Sequence, residues 1–140
     1  MADMEEKIQY MLDLCEQGDP DACALMGKEL FFGWNLEQDL DKAFRYLTVA
    51  AESGHDLSQF LLGSMYGSGK GTEKNPDLAY KWFLAAAEHG IPEAMYNVAC
   101  YLMGKGGEEN RVLAREWLVK SANAGYDSAY DLLSDLEDRQ

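Results

Sequence analysis

The chain has 140 residues and a mass of 15.7 kDa, the size of one folding unit, with 47% hydrophobic and 26% charged residues. That balance is too apolar for a disordered chain. Twelve Lys and Arg stand against 25 Asp and Glu, a formal charge of −13, which excludes the basic footprint that nucleic acid or an anionic membrane surface requires.

Residues 3–17 read as a lone helix with Ile8, Met11, Leu12 and Cys15 on one face. The start of the chain, Met-Ala-Asp-Met-Glu-Glu-Lys, is acidic and lacks the basic and apolar regions of a secretory signal, so a cytoplasmic location is expected. No run approaches the roughly 20 apolar residues of a membrane span. Gly18 is placed to end the first helix, and Pro20 suits the opening turn of the next, where a missing N–H costs nothing. Ala22–Phe32 and Asp41–Ser53 then carry apolar residues at three- and four-residue spacing, the mark of two amphipathic helices. Gly54 repeats the punctuation of Gly18. Asn75-Pro76 predicts another helix start with Asn75 as N-cap, and Gly90 and Pro92 open a further pair. The residues after Gly125 form a last helix. The expected order is a leading helix, three hairpins and a final helix, eight in all.

The turn glycines 18, 54, 90 and 125 are separated by 36, 36 and 35 residues, a period close to that of tetratricopeptide-type hairpins. Other columns fall into register on them. Ala22, Ser58, Ala94 and Ala129 form a small-residue column; Gly27, Gly63 and Ala99 form a second. Leu30, Tyr66 and Leu102 follow, then Asp39, Asn75 and Asn110 after one deletion in the third unit, then Ala43, Ala79 and Ala114. Tyr46, Trp82 and Trp117 make an aromatic column expected to fill the core, and Ala50-Ala51, Ala86-Ala87 and Ser121-Ala122 close the units. The small residues let neighbouring helices approach closely, at some cost in helix propensity.

The run from Leu62 to Gly71 (LGSMYGSGKG), followed by Asn75, Ala79, Trp82 and Ala85-Ala86-Ala87, resembles the Sel-one-like repeat, a branch of the tetratricopeptide-like α-solenoids. The first unit departs from the pattern with Asn35 for the second loop glycine and Tyr46 for Trp; the third has lost one loop residue and carries Ala99 for Gly63. The resemblance implies an all-α fold: a right-handed α-α superhelix of three helix-turn-helix repeats, capped by a helix at each end. Its divisions are residues 1–17 (N-terminal cap), 18–53, 54–89, 90–124 (repeats) and 125–140 (C-terminal cap), together one domain. Acidity gathers at the ends, which fits the polar outer faces that solenoid caps need: residues 1–21 carry −6 and residues 126–140 carry −4.

Little in the sequence points to catalysis, cofactor or metal. Gly67-Ser68-Gly69-Lys70-Gly71-Thr72 fails the phosphate-loop spacing, since Ser64 stands where the first Gly belongs and Gly71 follows the Lys where Ser or Thr is needed. His55 and His89 are the two histidines, and neither has a Cys or second His at metal-ligand spacing. Cys15 and Cys23 flank the turn and could form a disulfide across successive helices. Buried small apolar thiols are the preferred reading, because a reducing cytosol keeps such pairs reduced. Some cysteine-rich relatives of the repeat family are credited with β-lactam binding; their Cys pairs lie eight apart in successive units, and only Cys15–Cys23 has that spacing here. The resemblance therefore keeps a β-lactam or peptidoglycan-related hydrolase as the alternative.

The leading expectation is a non-enzymatic, bacterial adaptor or scaffold, monomeric, that holds a peptide or helix of another protein. Solenoid hairpins line their concave side with the first helix of each unit. The stripe expected there contains Ala24, Lys28 and Phe31; Phe60 and Ser64; Tyr96, Cys100 and Met103; and, at an acidic end, Asp131 and Asp135. The acidity favours a basic partner, as for a neutralising or immunity-type protein. Phe31 and Phe32 point about 100° apart on a helix, so one of them is exposed. Trp34 is either a lid on its hairpin or an exposed contact.

Overall fold

A computed structural model of the chain describes residues 3–139. Those residues form eight α-helices and no strand: α1 (Met4–Glu16), α2 (Pro20–Phe32), α3 (Leu40–Glu52), α4 (Asp56–Ser68), α5 (Pro76–Glu88), α6 (Pro92–Lys105), α7 (Glu108–Asn123) and α8 (Asp127–Asp138). This is the all-α helical-repeat fold that the sequence predicts, with each boundary within two residues of the punctuation described above. They gather into two compact units, Met1–Ala79 and Tyr80–Gln140.

In the first unit the turns are built alike. Gly18 and Gly54 adopt φ of +87° and +94°, and the following amides of Asp19 and His55 donate back to the carbonyls of Leu14 and Ala50 at 3.0 and 3.1 Å. Asp19 then caps α2 by accepting from the Ala22 amide at 2.9 Å. His55 takes the same role for α4, its Nδ1 accepting from the Ser58 amide at 3.2 Å. The imidazole is thus a helix cap, a role its position after the glycine did not announce.

The small-residue column lies at the centre of the packing. Ala22 and Ser58 are each 1% exposed. Gly27 faces α3 so closely that a Cβ built on it would lie 2.8 Å from Cγ and Cδ2 of Leu47, itself fully buried. Around this contact cluster Cys15, Met26, Leu30, Ala43, Tyr46, Leu61 and Met65. The Tyr46 hydroxyl leaves the core by donating to Glu16 Oε1 at 2.5 Å.

In the second unit Ala94, Val98, Ala99, Leu118 and Ala129 are fully buried, and the buried Ser121 hydroxyl donates to the Pro92 carbonyl at 2.7 Å. Tyr80 and Tyr101 stack at 4.2 Å. Trp82 and Trp117 are half-buried rather than core, which corrects the expectation for the aromatic column. The physical reason is their cover: the ammonium groups of Lys81 and Lys120 lie 4.9 and 4.7 Å above the two indoles, so a cation–π contact replaces a protein wall on one face.

The bridge considered between Cys15 and Cys23 is not formed. Both are buried free thiols, and Cys23 Sγ donates to the Cys15 carbonyl at 3.5 Å. Burial first, and then the neighbouring Cys23, push the Cys15 thiol up to about 12; burial also raises Cys23. Thiolate is the reactive form, so a raised value means slow alkylation near neutral pH. With iodoacetamide at pH 8, mass spectrometry should find Cys100 labelled first and Cys15 and Cys23 labelled only once the protein is unfolded. Rapid labelling of Cys15 in the folded chain would contradict the packing of α1 on α2. The sign for stability follows from the same shift. Below about pH 9 the Cys15 thiol is protonated in both states and costs nothing, and stability falls as pH rises from there toward 12.

Candidate partner-binding site

The predicted stripe divides between the two units. On α2, Lys28 lines a groove of about 410 Å3 between α2 and α4, together with Ala24, Leu25, Leu57 and Leu61, with Asp21 and Asp56 among its charged residues. Phe31 and Phe60 are half-buried and pack against the core cluster. The Ser64 hydroxyl turns back to the Phe60 carbonyl at 3.1 Å. The groove is thus lined by Ala24 and Lys28 from the expected stripe, and by Leu25 and Leu57, which sequence reasoning left out.

Leu25 and Leu57 are 44% and 37% exposed. For Leu57 a signal was present: the matching positions in the other units are Asp21, Glu93 and Ser128, so a leucine breaks a polar column. Leu25 gave no such signal, because Leu61 stands at its position in the next unit and is buried.

Beside this groove lies an exposed aromatic pair. Phe32 (41% exposed) and Trp34 (62%) stack with ring centres 4.5 Å apart and planes 5° from parallel. Phe31 packs edge-on against Phe32 at 4.9 Å, and the Lys28 ammonium lies 5.9 Å from the Trp34 ring centre. Trp34 is therefore exposed and rests on Phe32. Large, rigid aromatics beside a cation are the side chains that dominate protein interfaces.

In the second unit Tyr96 is half-buried, its ring 5.3 Å from that of Tyr126. Its hydroxyl is held up chiefly by the neighbouring Cys100, and the Cys100 thiol is raised by partial burial against the lowering effect of its hydrogen bond with Tyr96. Met103 lines a separate groove of about 450 Å3 with Arg111, Val112, Arg115 and Leu136. Arg115 pairs there with Glu137 at 3.1 Å. Asp131 and Asp135 are exposed on α8 and are not among the residues lining this groove, whose cations are Arg111 and Arg115. Among the described residues no cluster of three metal-ligating side chains forms, and no helix is long and apolar enough to cross a membrane.

The repeat register and the helix-hairpin geometry agree with comparisons to known proteins. The profile described as Sel1 repeat matches residues 20–55, 56–91 and 92–126, each match opening two residues after a turn glycine. No curated protein matches the sequence. Among solved structures, a Sel1 repeat protein from Oxalobacter formigenes is similar at 35% identity and a TM-score of 0.77, over 92% of this chain and 98% of that one. The chain is also similar to c5321, a protective antigen of uropathogenic Escherichia coli strains with an SLR fold. There the identity is 26% and the TM-score 0.84, over 94% of this chain but 28% of that one.

Proposed function

The chain belongs to the Sel1 repeat family, whose repeats generally serve as protein-interaction scaffolds, and from that premise we propose that it binds a basic peptide or helix of another protein through the first helices of its repeats. The observation that carries this reading is the groove between α2 and α4, where Leu25 and Leu57 stand exposed beside Lys28 and the stacked Phe32–Trp34 pair. Exposed apolar side chains with a charged rim are the anatomy of an interface. Phe31, Phe60 and Ser64 support that face from behind. In the second unit Tyr96, Cys100 and Met103 supply further contacts, and Asp131 and Asp135 attract basic residues. A formal charge of −13 speeds and selects association with a basic partner, as a neutralising or immunity-type binder requires. Three free thiols suit a reducing compartment such as the cytoplasm, and the monomer is the binding form.

The test is partner capture with the wild type beside a Leu57→Lys variant and a Trp34→Ala variant, at low and high salt. Both positions are exposed, so circular dichroism should show folded variants. A partner retained by wild type, weakened by salt and lost by both folded variants is the expected result. A partner held equally by all three places binding elsewhere, and turnover of a β-lactam reporter without any partner would replace the reading with an enzymatic one.

A further inference from the structure

The groove between α2 and α4 carries its charges in a fixed order along its length. Both helices are joined to α3 and pack against it, so they run parallel and bring their first turns to the same end. Those turns supply Asp21 and Asp56 to the groove wall. Lys28 stands seven residues beyond Asp21 on the same helix, about 10 Å further along at a rise of ~1.5 Å per residue. None of these charges is neutralised within the fold. Among the described residues Asp21 has no hydrogen-bond or ion-pair partner, and Asp56 accepts only the adjacent Leu57 amide, at 2.6 Å. No carboxylate among them pairs with the Lys28 ammonium, which lies beside Trp34.

Between the charged ends the wall is apolar, formed by Ala24, Leu25, Leu57 and Leu61. Its other polar side chains serve each other: His55 Nδ1 accepts the Ser58 amide at 3.2 Å and lies 2.8 Å from the Ser58 hydroxyl. An extended chain laid on this wall would find no partners for its backbone N–H and C=O groups, whereas a helix bonds its own. The wall therefore suits the apolar face of a helix. The charges give that helix a direction. A helix favours acidic residues at its N-terminal end and basic residues at its C-terminal end. An occupant antiparallel to α2 and α4 brings its basic end to Asp21 and Asp56 and its acidic end to Lys28. Its negative dipole end then also meets the positive ends of α2 and α4. A parallel occupant would need both charges in their disfavoured places.

We propose that the α2–α4 groove takes an amphipathic helix of a partner protein, antiparallel to α2 and α4. That helix places an acidic residue over Lys28, an apolar face over Leu25 and Leu57, and a lysine or arginine about two turns later beside Asp21 and Asp56. This rests on the reading of the groove as the partner site, and adds the occupant's direction and charge order. The formal charge of −13 favours a basic partner, and the groove selects the order in which that partner's charges come.

Two alanine-based peptides of identical composition test this on the full chain. One carries glutamate, a leucine face and arginine in that order; the other has glutamate and arginine exchanged. A lactam bridge on the outer face holds both helical, so that affinity reports charge order alone. The first peptide should bind roughly tenfold more tightly at low salt, with the gap narrowing as salt rises. In spectra of 13C-methyl leucines, Leu25, Leu57 and Leu61 should shift while Leu118 and Leu136 stay in place. Lys28→Glu should bring the two peptides within about twofold of each other. If that variant unfolds, Asp21→Asn at an exposed position should narrow the gap in its place. Equal binding of both peptides at Leu25 and Leu57, a preference for the exchanged order, or a gap that survives the folded variants overturns the charge order and leaves the groove standing. Binding of neither peptide, or shifts at other leucines, removes the groove and the charge order together.

Discussion

Replacing Gly71 by alanine should lower the unfolding free energy by about 2–5 kcal/mol, the sum of a left-handed backbone penalty and an overpacking cost. Gly71 has φ of +73°, and a Cβ built there would lie 2.6 Å from both the Leu40 carbonyl oxygen and the Met65 methyl. Met65 is fully buried and Leu40 Oxygen belongs to the first turn of α3, so the two nearest atoms have little freedom to retreat. Chemical denaturation followed by helical circular dichroism measures the loss. The contrast with Gly69 sharpens the expectation. Its φ is +74°, but its nearest neighbour would be Lys74 Cβ at 3.3 Å, so Gly69→Ala carries the backbone penalty and little of the clash. Equal losses at the two positions would show that backbone strain alone is at work.

The first repeat shows how the same place tolerates a side chain when the backbone changes. Asn35 stands where Gly71 does, and no non-glycine residue among those described has positive φ. Asn35 instead bonds through its amide groups to the Glu29 carboxylate at 3.2 Å. Loop chemistry of this kind was legible only in part. The period of 36 residues foretold which columns are buried, because a residue that packs against its own hairpin has the same neighbours in every unit. Ala22, Ser58, Ala94 and Ala129, each a few residues past a turn glycine, are all within 1% of full burial.

Positions that pack against the preceding hairpin obey a different rule. Leu25 and Leu61 are the same residue in the same column, and one is exposed while the other is buried, since among the described residues two helices, α2 and α3, precede α4 directly where α1 alone precedes α2. Residue type cannot report that difference. The expected stripe erred by a similar mechanism: one residue along a helix is a rotation of about 100°, enough to carry Phe31 toward the core and leave Lys28 in the groove. Hydrophobicity fixes such a boundary only to within that step. Size alone points Trp82 and Trp117 to the core, and the alternative cover comes from Lys81, the neighbour of Trp82 in sequence, and from Lys120, three residues beyond Trp117 on α7.

Truncating Leu47 to alanine should cost about 2–5 kcal/mol, the range for a fully buried leucine whose surroundings cannot collapse. Collapse is hindered here because the opposing position, Gly27, has no side chain to move into the gap. The pair therefore makes a double-mutant cycle with a change of sign. In the wild type, Gly27→Ala places Cβ 2.8 Å from the Leu47 side chain, and about 1–3 kcal/mol of overpacking exceeds or cancels the helix propensity gain of about 1 kcal/mol. In the Leu47→Ala background the obstructing Cγ and Cδ2 are gone, and only the Leu47 amide nitrogen remains close, at 3.2 Å. The same Gly27→Ala change should then be neutral to about 1 kcal/mol stabilising, as propensity and cavity filling act together. A coupling of about 1–3 kcal/mol between the two sites is the expected reading of the cycle. Additive effects would mean that α2 and α3 do not meet at these residues.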